Sequence, residues 1–185
     1  DVMELPTTPD WRHDDVELFL LEPGHVGPDY VRWLNDPRVN RYLESRFVEH
    51  SLDSTREFVR QCRADTDTLF LGICSQALGR RHVGNVKLAP IDRRHGLGEI
   101  GILVGEPDAW GRGIASSALL ALSAIAQNQL ALRKLTAGCY ASNVGSRKAF
   151  ERAGFTVEGV RRNHFLLDGN PEDLQLLGKW LISQY

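Results

Sequence analysis

The sequence predicts a mixed α/β fold, a sheet flanked by helices, and three observations support this. Strand-like segments cluster early in the chain, so strands and helices do not alternate as regularly as in a doubly wound sheet. One long amphipathic helix follows a glycine-rich turn at residues 111–113. Asp168-Gly169, near the end of the chain, is a hairpin signal that indicates an antiparallel closing pair.

Local signals define the elements in order along the chain. Asp36 as N-cap and Pro37 at the first helical position begin one short helix. The capping box Ser54-Thr55-Arg56-Glu57 begins another, and the most regular apolar spacing predicts a helix over 113–127. The other predicted helices are 28–34, 36–43, 54–63 and 145–152, and the predicted strands are 16–21, 68–74, 82–88, 97–104, 133–140, 155–160, 162–167 and 173–180.

Composition predicts one ordinary globular domain over residues 1–185, with 1–14 as a loose N-terminal segment. Hydrophobic residues make up 42% of the chain and charged residues 25%, which is typical of soluble domains. The formal net charge is −2, so neither nucleic acid nor a membrane is expected as a partner. No apolar run approaches the roughly 20 residues that cross a bilayer.

The cysteines and histidines show none of the usual metal or disulfide patterns. Cys62, Cys74 and Cys139 are widely spaced and form neither a ligand pair nor a disulfide framework. The six histidines are not paired at metal-ligand spacing, so no metal is expected. We expect reduced, mostly buried thiols in a cytoplasmic protein.

The most informative segment runs from Glu106 to Leu120. A buried-strand pattern ends at Val104, two glycines flank Arg112, and an amphipathic helix follows. Glycines allow a ligand to approach the backbone closely. The free N–H groups of a first helical turn attract anions, because the helix dipole lies behind them. The segment therefore predicts a site for a ligand that carries a diphosphate.

Spacing excludes two common phosphate-binding loops. A dinucleotide fingerprint needs a third glycine at the position of Ser116, and a nucleoside-triphosphatase loop needs Gly-Lys followed by Ser or Thr. Taken alone, the two glycines are also compatible with a plain tight turn and a helix cap. The other motifs of the chain favour the ligand site.

Four motifs resemble the GNAT superfamily of acyl-CoA-dependent N-acetyltransferases. Residues 110–115 (Trp-Gly-Arg-Gly-Ile-Ala) resemble its pyrophosphate-binding loop, and residues 143–146 resemble its Asn-x-x-Ser element. Residues 150–155 resemble its helix-to-strand junction, and 159–180 resemble the closing hairpin of the ribosomal-protein N-terminal acetyltransferase (RimJ/RimL-like) branch. The resemblance implies one domain with a splayed, mostly antiparallel sheet of about seven strands flanked by helices.

Acetyl-CoA is the co-substrate that this resemblance implies. The backbone of Ile102, Leu103 and Val104 is then expected to pair with the pantetheine arm almost as an added strand. Asn143 is expected to hydrogen-bond the same arm, with capping of the following helix as the alternative. Trp110 is expected to pack under the loop. The residues expected to bind the pyrophosphate are Gly111, Arg112, Gly113, Ile114, Ala115 and Ser116.

The resemblance also implies two catalytic groups. Ser146 is expected to donate a hydrogen bond to the departing sulfur, because the position where many members have a tyrosine is Phe150, which has no proton to give. The alternative is that Ser146 is only a residue of the first helical turn. Glu99 is the candidate base for the amine, directly or through water. Alternatives to Glu99 are a water chain or one of Glu158, His164 and Asp173.

The expected acceptor is a small-molecule amine such as an amino sugar or its nucleotide. Residues 30–42 are similar to segments of family members that use such acceptors. A protein N-terminus is the alternative within the family, and members of the branch are often homodimers. A non-catalytic acyl-CoA-binding module is the alternative of another class. A polyamine acceptor would favour an acidic pocket. The N-terminal part of the chain has acidic residues that allow such a pocket: Glu22, Asp29, Asp36, Glu44 and Glu49.

Overall fold

A computed structural model describes residues 11–182 of the chain, and its centre is one eight-stranded sheet. Its strands are Arg12–His13 (β1), Val16–Leu20 (β2), Leu69–Ser75 (β3), Arg81–Asp92 (β4), Leu97–Val104 (β5), Lys134–Tyr140 (β6), Thr156–Leu167 (β7) and Asn170–Trp180 (β8). The strand order is β1-β2-β3-β4-β5-β6-β8-β7. Within this part of the chain only β5 and β6 pair in parallel. The predicted mixed, mostly antiparallel sheet is confirmed.

The sheet has one strand more than the expected number of about seven. Arg12 and His13 pair with Glu17 and Val16 as an edge strand, and Trp11 is only 3% exposed. The last part of the segment 1–14, residues 11–14, is therefore not loose. Residues 1–10 lie outside the described residues. The two strands predicted at 155–160 and 162–167 are one strand, β7, whose register shifts between Arg161 and Phe165. A bulge of this kind interrupts the sequence pattern without ending the strand.

Two helical layers cover the sheet. Because side chains alternate along a strand, Leu18 packs in one core while its neighbour Phe19 packs in the other. No helix among residues 11–182 is long and apolar enough to cross a membrane. One layer contains Pro28–Asn35 (α1), Pro37–Asn40 (α2) and Leu52–Ala64 (α3), and the opposite layer contains Ile114–Asn128 (α4) and Val144–Arg152 (α5).

Two turn signals had different outcomes. The capping box predicted at Ser54 was wrong, because Ser51 is the residue with extended backbone before α3. The Ser51 hydroxyl accepts from the Ser54 N–H, and the Ser54 hydroxyl accepts from the Ser51 N–H. Asp168 and Gly169 form the predicted hairpin turn between β7 and β8. Their φ angles of 51° and 79° are both positive, as a type I′ turn requires.

The sheet splits between β5 and β6. These strands pair only from Leu97 to Glu99, opposite Lys134 to Thr136. In the described chain, residues 100–104 of β5 then pair with β4 alone, and residues 137–140 of β6 pair with β8 alone. The two facing edges diverge, and the backbone groups of β5 along the gap have no strand partner. The splayed sheet implied by the family resemblance is therefore present.

Candidate active site

The loop between β5 and α4 presents its backbone to solvent. A 3-10 turn at Pro107–Ala109 precedes Gly111 and Gly113, whose φ angles are 73° and 75°. Glycine adopts this left-handed backbone without the steric cost that a Cβ atom brings. Among the described residues, none provides an acceptor for the N–H groups of 111–116. Six successive donors thus lie at the positive end of the α4 dipole, which makes an anion site.

Two side chains hold this loop in place. Trp110 Nε1 donates to the Val104 carbonyl oxygen at 2.8 Å, and Arg112 Nε donates to the Asp108 carbonyl oxygen at 2.8 Å. The Asp108 carboxylate forms only a surface ion pair with Arg81 at 2.7 Å, which adds little to the hold on the loop. Trp110 does not pack under the loop as expected, since it is 45% exposed and only its indole N–H reaches back to β5. The loop is therefore held mainly through its own backbone and the end of β5.

The β5 edge that faces the gap carries the residues predicted to hold an extended ligand arm. Ile102 and Val104 pack toward the α4 core, whereas Leu103 packs toward α1 and α3. All three residues are partly exposed. An extended chain placed along this edge would satisfy backbone donors and acceptors that no strand pairs with in the described structure.

The start of α5 lies at the other side of the gap. Asn143 is the N-cap, and its Oδ1 accepts from the Ser146 N–H at 3.3 Å. The Asn143 side chain therefore caps α5 through this oxygen, which is the alternative role expected for it from the sequence. Burial raises the pKa of the Cys139 thiol, and its hydrogen bond with Ser146 partly offsets that effect. The Ser146 hydroxyl therefore lies beside a neutral thiol at the end of β6.

Glu99 lies on the opposite face of the sheet from these groups. Ile100 and Cys139 belong to the α4 core, so strand alternation directs Glu99 and its cross-strand neighbour Thr136 to the other face. Glu99 is exposed there, at the point where the sheet begins to split. The structure therefore brings residues 111–116, the β5 edge and Ser146 together on one side, and Glu99 approaches from the other.

Two of the alternative bases on the closing strands, both carboxylates, already have polar partners, and in the described part of the chain the third has only a ring contact. Glu158 Oε1 is 2.6 Å from Lys134 Nζ, and Asp173 accepts from the Asn163 N–H at 2.8 Å. The His164 ring lies edge-on to Phe165, with the centroids 4.6 Å apart. Glu99 has no such partner among the described residues.

Sequence reasoning missed a cluster at the C-terminal end of β6. The Tyr140 hydroxyl donates to Glu44 Oε1, and Arg46 Nη1 donates to the same hydroxyl at 3.2 Å. The Tyr140 ring stacks on Phe165 at 5.3 Å and meets Tyr42 edge-on at 5.5 Å. Burial first, and the Glu44 hydrogen bond second, raise the pKa of Tyr140. Because Tyr140 shares the sheet face of Glu99, this cluster borders the gap on the face that carries Glu99.

A second missed group is Glu106, which lies two residues after the end of β5 and is 7% exposed. Its Oε1 accepts from Arg32 Nη2 at 2.7 Å and from Trp33 Nε1 at 3.0 Å. A hydrogen bond from Arg32 to Asp29, and then the charge of Glu106, raise the pKa of Arg32. In the sequence, Glu106 resembles an ordinary acidic residue before a proline turn, and no local signal indicates its partners on α1.

A split mixed sheet with an anion site at the start of the following helix defines a class of proteins that bind acyl-CoA. The family model for the acetyltransferase (GNAT) domain matches residues 17–156. The chain belongs to this family and is therefore an N-acetyltransferase that depends on acetyl-CoA. The family expectation from the sequence is confirmed.

Relatives and solved structures agree with this family. An N-acetyltransferase 9-like protein of Caenorhabditis briggsae is 26% identical over 143 residues, which cover 73% of this chain and 71% of that protein. The probable N-acetyltransferase YjcK of Bacillus subtilis is 36% identical over 67 residues, 36% of this chain and 37% of that protein.

Similar folds occur among solved acetyltransferases. A spermidine N-acetyltransferase from Vibrio cholerae, in complex with CoA and spermine, superposes with a TM-score of 0.79 at 20% identity, covering 91% of this chain and 96% of that one. A probable acetyltransferase superposes with a TM-score of 0.74 at 26% identity, covering 90% and 93%.

Proposed function

We propose that the chain acetylates the primary amine of a small molecule by direct attack of the amine on acetyl-CoA in a ternary complex. The observation that carries this proposal is the gap between β5 and β6, with six N–H groups at its end that have no partner among the described residues. A diphosphate suits those donors, and a long amide-bearing arm suits the unpaired strand edge. Acetyl-CoA has both features, so the residues present fit it.

Each predicted binding residue has a distinct task in this proposal. The N–H groups of residues 111–116 bind the diphosphate, and the backbone of residues 102–104 pairs with the pantetheine arm. The Asn143 amide can serve both of its expected roles. Its Oδ1 caps α5, while Nδ2 donates to a carbonyl oxygen of the arm.

The chemistry follows from the positions of Glu99 and Ser146. Acetyl-CoA supplies the activated thioester. Glu99 takes the proton of the amine, directly or through one water, so that the nitrogen lone pair forms the new C–N bond as the C–S bond breaks. Ser146 donates a hydrogen bond to the departing sulfur, which stabilises the thiolate until it takes up a proton.

The charge pattern favours an acceptor that is not a polycation. Four of the five acidic residues considered in the N-terminal part of the chain are paired with arginines: Glu22 with Arg63, Asp29 with Arg32, Asp36 with Arg38, and Glu44 with Arg46. A spermidine-like ligand needs carboxylates that are free to replace its hydration. We therefore favour an amino sugar or its nucleotide over a polyamine, although the Vibrio cholerae neighbour is a spermidine acetyltransferase.

A protein N-terminus, as in the RimJ/RimL-like branch, is the second candidate acceptor. One observation favours it. Phe47, Val48 and Leu166 are 72%, 63% and 60% exposed, and Phe47 and Leu166 both contact Arg46 at the Tyr140 cluster. Exposed apolar side chains beside a reaction site suit peptide side chains better than they suit a sugar.

Thermal unfolding and thiol release together test the proposal. Acetyl-CoA at 100 times its dissociation constant should stabilise the native state by about 2.7 kcal/mol. Thiol release is then measured with three acceptors: a nucleotide-linked amino sugar, spermidine, and a peptide with a free N-terminus. Turnover of the amino sugar alone supports the first candidate, and turnover of the peptide alone supports the second.

The same experiment includes the outcomes that contradict the proposal. Cofactor binding without turnover of any amine, and with no effect of Glu99→Gln or Ser146→Ala, supports a non-catalytic acyl-CoA-binding module. Preferred turnover of spermidine contradicts the charge argument. A wild-type protein whose unfolding midpoint does not rise at millimolar acetyl-CoA contradicts the proposal as a whole.

The expected compartment and assembly also remain proposals. We favour the cytoplasm, since Cys62, Cys74 and Cys139 are all free thiols, as reducing compartments maintain them. We favour a homodimer because β7 is an edge strand of the described sheet with Val157 and Val160 exposed, and such edges are often covered. Light scattering of the purified protein tests the assembly.

A further inference from the structure

The junction between β5 and the cofactor loop, residues 105–106, is fixed by contacts with α1 and β4. Glu106 accepts from both Arg32 and Trp33 through one carboxylate oxygen. The Trp33 ring also covers Gly105 so closely that a Cβ built there would lie 2.1 Å from it. The N–H groups of Gly105 and Glu106 donate to the Val83 carbonyl oxygen at 2.8 and 3.3 Å. Residues 105–106 are therefore held on three sides.

Such an arrangement is sensitive to the loss of any one partner. The side chain of Glu106 is only 9% exposed, and a carboxylate in such a place depends on its hydrogen bonds. Trp33 is 1% exposed, and its Nε1 has Glu106 as its partner. Removal of the carboxylate would leave a buried indole N–H unsatisfied, which is costly.

The same helix leads to the acceptor side of the gap. After α1, the chain runs through α2 to Tyr42, Glu44 and Arg46, which contact Tyr140. The first residue after α1 is tied to it, because the Asp36 N–H donates to the Arg32 carbonyl oxygen at 2.9 Å. One continuous segment thus contacts the start of the cofactor loop at one end and the acceptor wall at the other.

We propose that Glu106 is a positioning residue that ties the cofactor loop to α1, so that residues 111–116 are held in the position that binds CoA. The inference rests on the proposed function, because it assumes that CoA binds residues 111–116. Glu106 does not touch the reacting atoms. It acts by setting the position of the turn Pro107–Ala109, in which the Ala109 N–H donates to the Glu106 carbonyl oxygen and which Trp110 alone separates from Gly111.

Three variants of the full chain test this role. Glu106→Leu removes both hydrogen bonds, and Glu106→Gln keeps an acceptor oxygen without the charge. Asp108→Leu is the matched control, because Asp108 is in the same turn but its side chain is 56% exposed and forms a surface ion pair. We expect the dissociation constant of CoA, measured by calorimetry, to rise roughly tenfold in Glu106→Leu and less in Glu106→Gln, since one charge-assisted hydrogen bond is worth this much. Asp108→Leu should bind CoA like the wild type.

Hydrogen exchange separates positioning from a merely structural role. In the free protein, Glu106→Leu should speed amide exchange at residues 105–110, because the N–H groups of 105, 106, 109 and 110 are hydrogen-bonded in the wild type. Exchange in β2 and β3 should stay as in the wild type. Trp33→Phe, which keeps the ring packing and removes the donor, should behave like Glu106→Leu, and the double variant should add little because both act on one oxygen.

Two results would overturn the inference. One is an unchanged CoA affinity in Glu106→Leu and Trp33→Phe while their unfolding midpoints fall, which would make the contact purely structural. The other is amide exchange in residues 105–110 that is equally slow in the wild type and in Glu106→Leu. A wild type that does not bind CoA is a separate outcome, since it contradicts the proposed function itself and the inference with it.

Discussion

The two sides of the gap between β5 and β6 are built in different ways. The side proposed to bind the cofactor uses backbone N–H groups from one continuous segment, residues 111–116, which only residues 105–110 separate from β5. The side proposed to bind the acceptor uses side chains that come from distant parts of the chain. Tyr140 and Glu44 are 96 residues apart, and Arg46 and Leu166 are 120 residues apart.

Of the two sides, the one with the backbone N–H groups depends mainly on local sequence. A backbone cradle needs only glycines at the positions of positive φ and a helix that begins in the right place. The other positions of the loop can carry many different side chains without loss of this backbone site. The acceptor wall depends on which residues the sheet order brings together, so any change in Glu44, Arg46 or Tyr140 alters it. Cofactor and acceptor variants should therefore affect different steps, and the following predictions test that separation.

The largest effect is expected at Gly113. Gly113→Val places a branched side chain on a backbone with φ of 75°, which costs about 1–2 kcal/mol, and it covers the neighbouring N–H groups. The strain lowers stability, whereas the covered N–H groups lower affinity, so we expect the dissociation constant of acetyl-CoA to rise roughly 100-fold, the equivalent of one or two lost hydrogen bonds to a charged group. Calorimetry measures the affinity.

Gly79→Val is the matched control for this variant. Gly79 has a φ of 70° and open space around it, in the turn after β3. It should lose stability to a similar extent and keep its affinity for acetyl-CoA. Equal loss of affinity in both variants would mean that backbone strain, and not the cradle, determines binding.

The next effect concerns the chemical step. Ser146→Ala removes the hydroxyl that we assign to the departing sulfur, so kcat should fall roughly 10- to 100-fold, with little change in acetyl-CoA affinity. Ser117→Ala, one helical turn into α4, should leave kcat unchanged. Steady-state thiol release measures both. A decrease in affinity with unchanged kcat would instead assign Ser146 to binding alone.

The contrast between the two sides also explains which features of the structure could be predicted from the sequence. The bounds of β5 were predicted at 97–104 and observed at Leu97–Val104, and the predicted helix 113–127 is observed at Ile114–Asn128, because glycine turns and helical periodicity are local signals. The Tyr140 cluster and the Glu106 contacts depend on tertiary pairing, which no spacing in the sequence expresses. The error at Ser54 has a similar cause, since two serines three residues apart offer competing caps.

A smaller effect is expected at Tyr140. Tyr140→Phe removes the hydroxyl that donates to Glu44 and keeps the stacking on Phe165. Loss of one such bond is worth about 1 kcal/mol, so KM for the acceptor should rise about fivefold while the affinity for acetyl-CoA stays constant. The control is Tyr30→Phe. Tyr30 is also buried but lies on α1, so this variant should leave the acceptor KM unchanged. A Tyr140→Phe variant with altered cofactor affinity would contradict the separation of the two sides.

The smallest effect concerns pH and the packing of α1 on the sheet. His82 lies among the rings of Phe19, Tyr30 and Trp33, and burial lowers its pKa, although a hydrogen bond with Asn85 partly offsets this. His25 also lowers the pKa and Asp29 raises it, each by a smaller amount. The unfolded chain therefore binds a proton near pH 6.5 that the folded chain still excludes.

Since the unfolded state binds more protons below that pH, the contribution of His82 to stability is fully present above pH 6.5 and decreases as the pH falls toward the lower folded pKa. His82→Gln stays neutral and can still donate to Asn85, so its unfolding free energy should fall less than that of the wild type between pH 7 and pH 5. Urea unfolding at each pH measures this, with the exposed His95→Gln as the control that should follow the wild type. Parallel curves for His82→Gln and the wild type would show that α1 is held without any contribution from a neutral His82, and its packing would then rest on the Trp33 and Glu106 contacts.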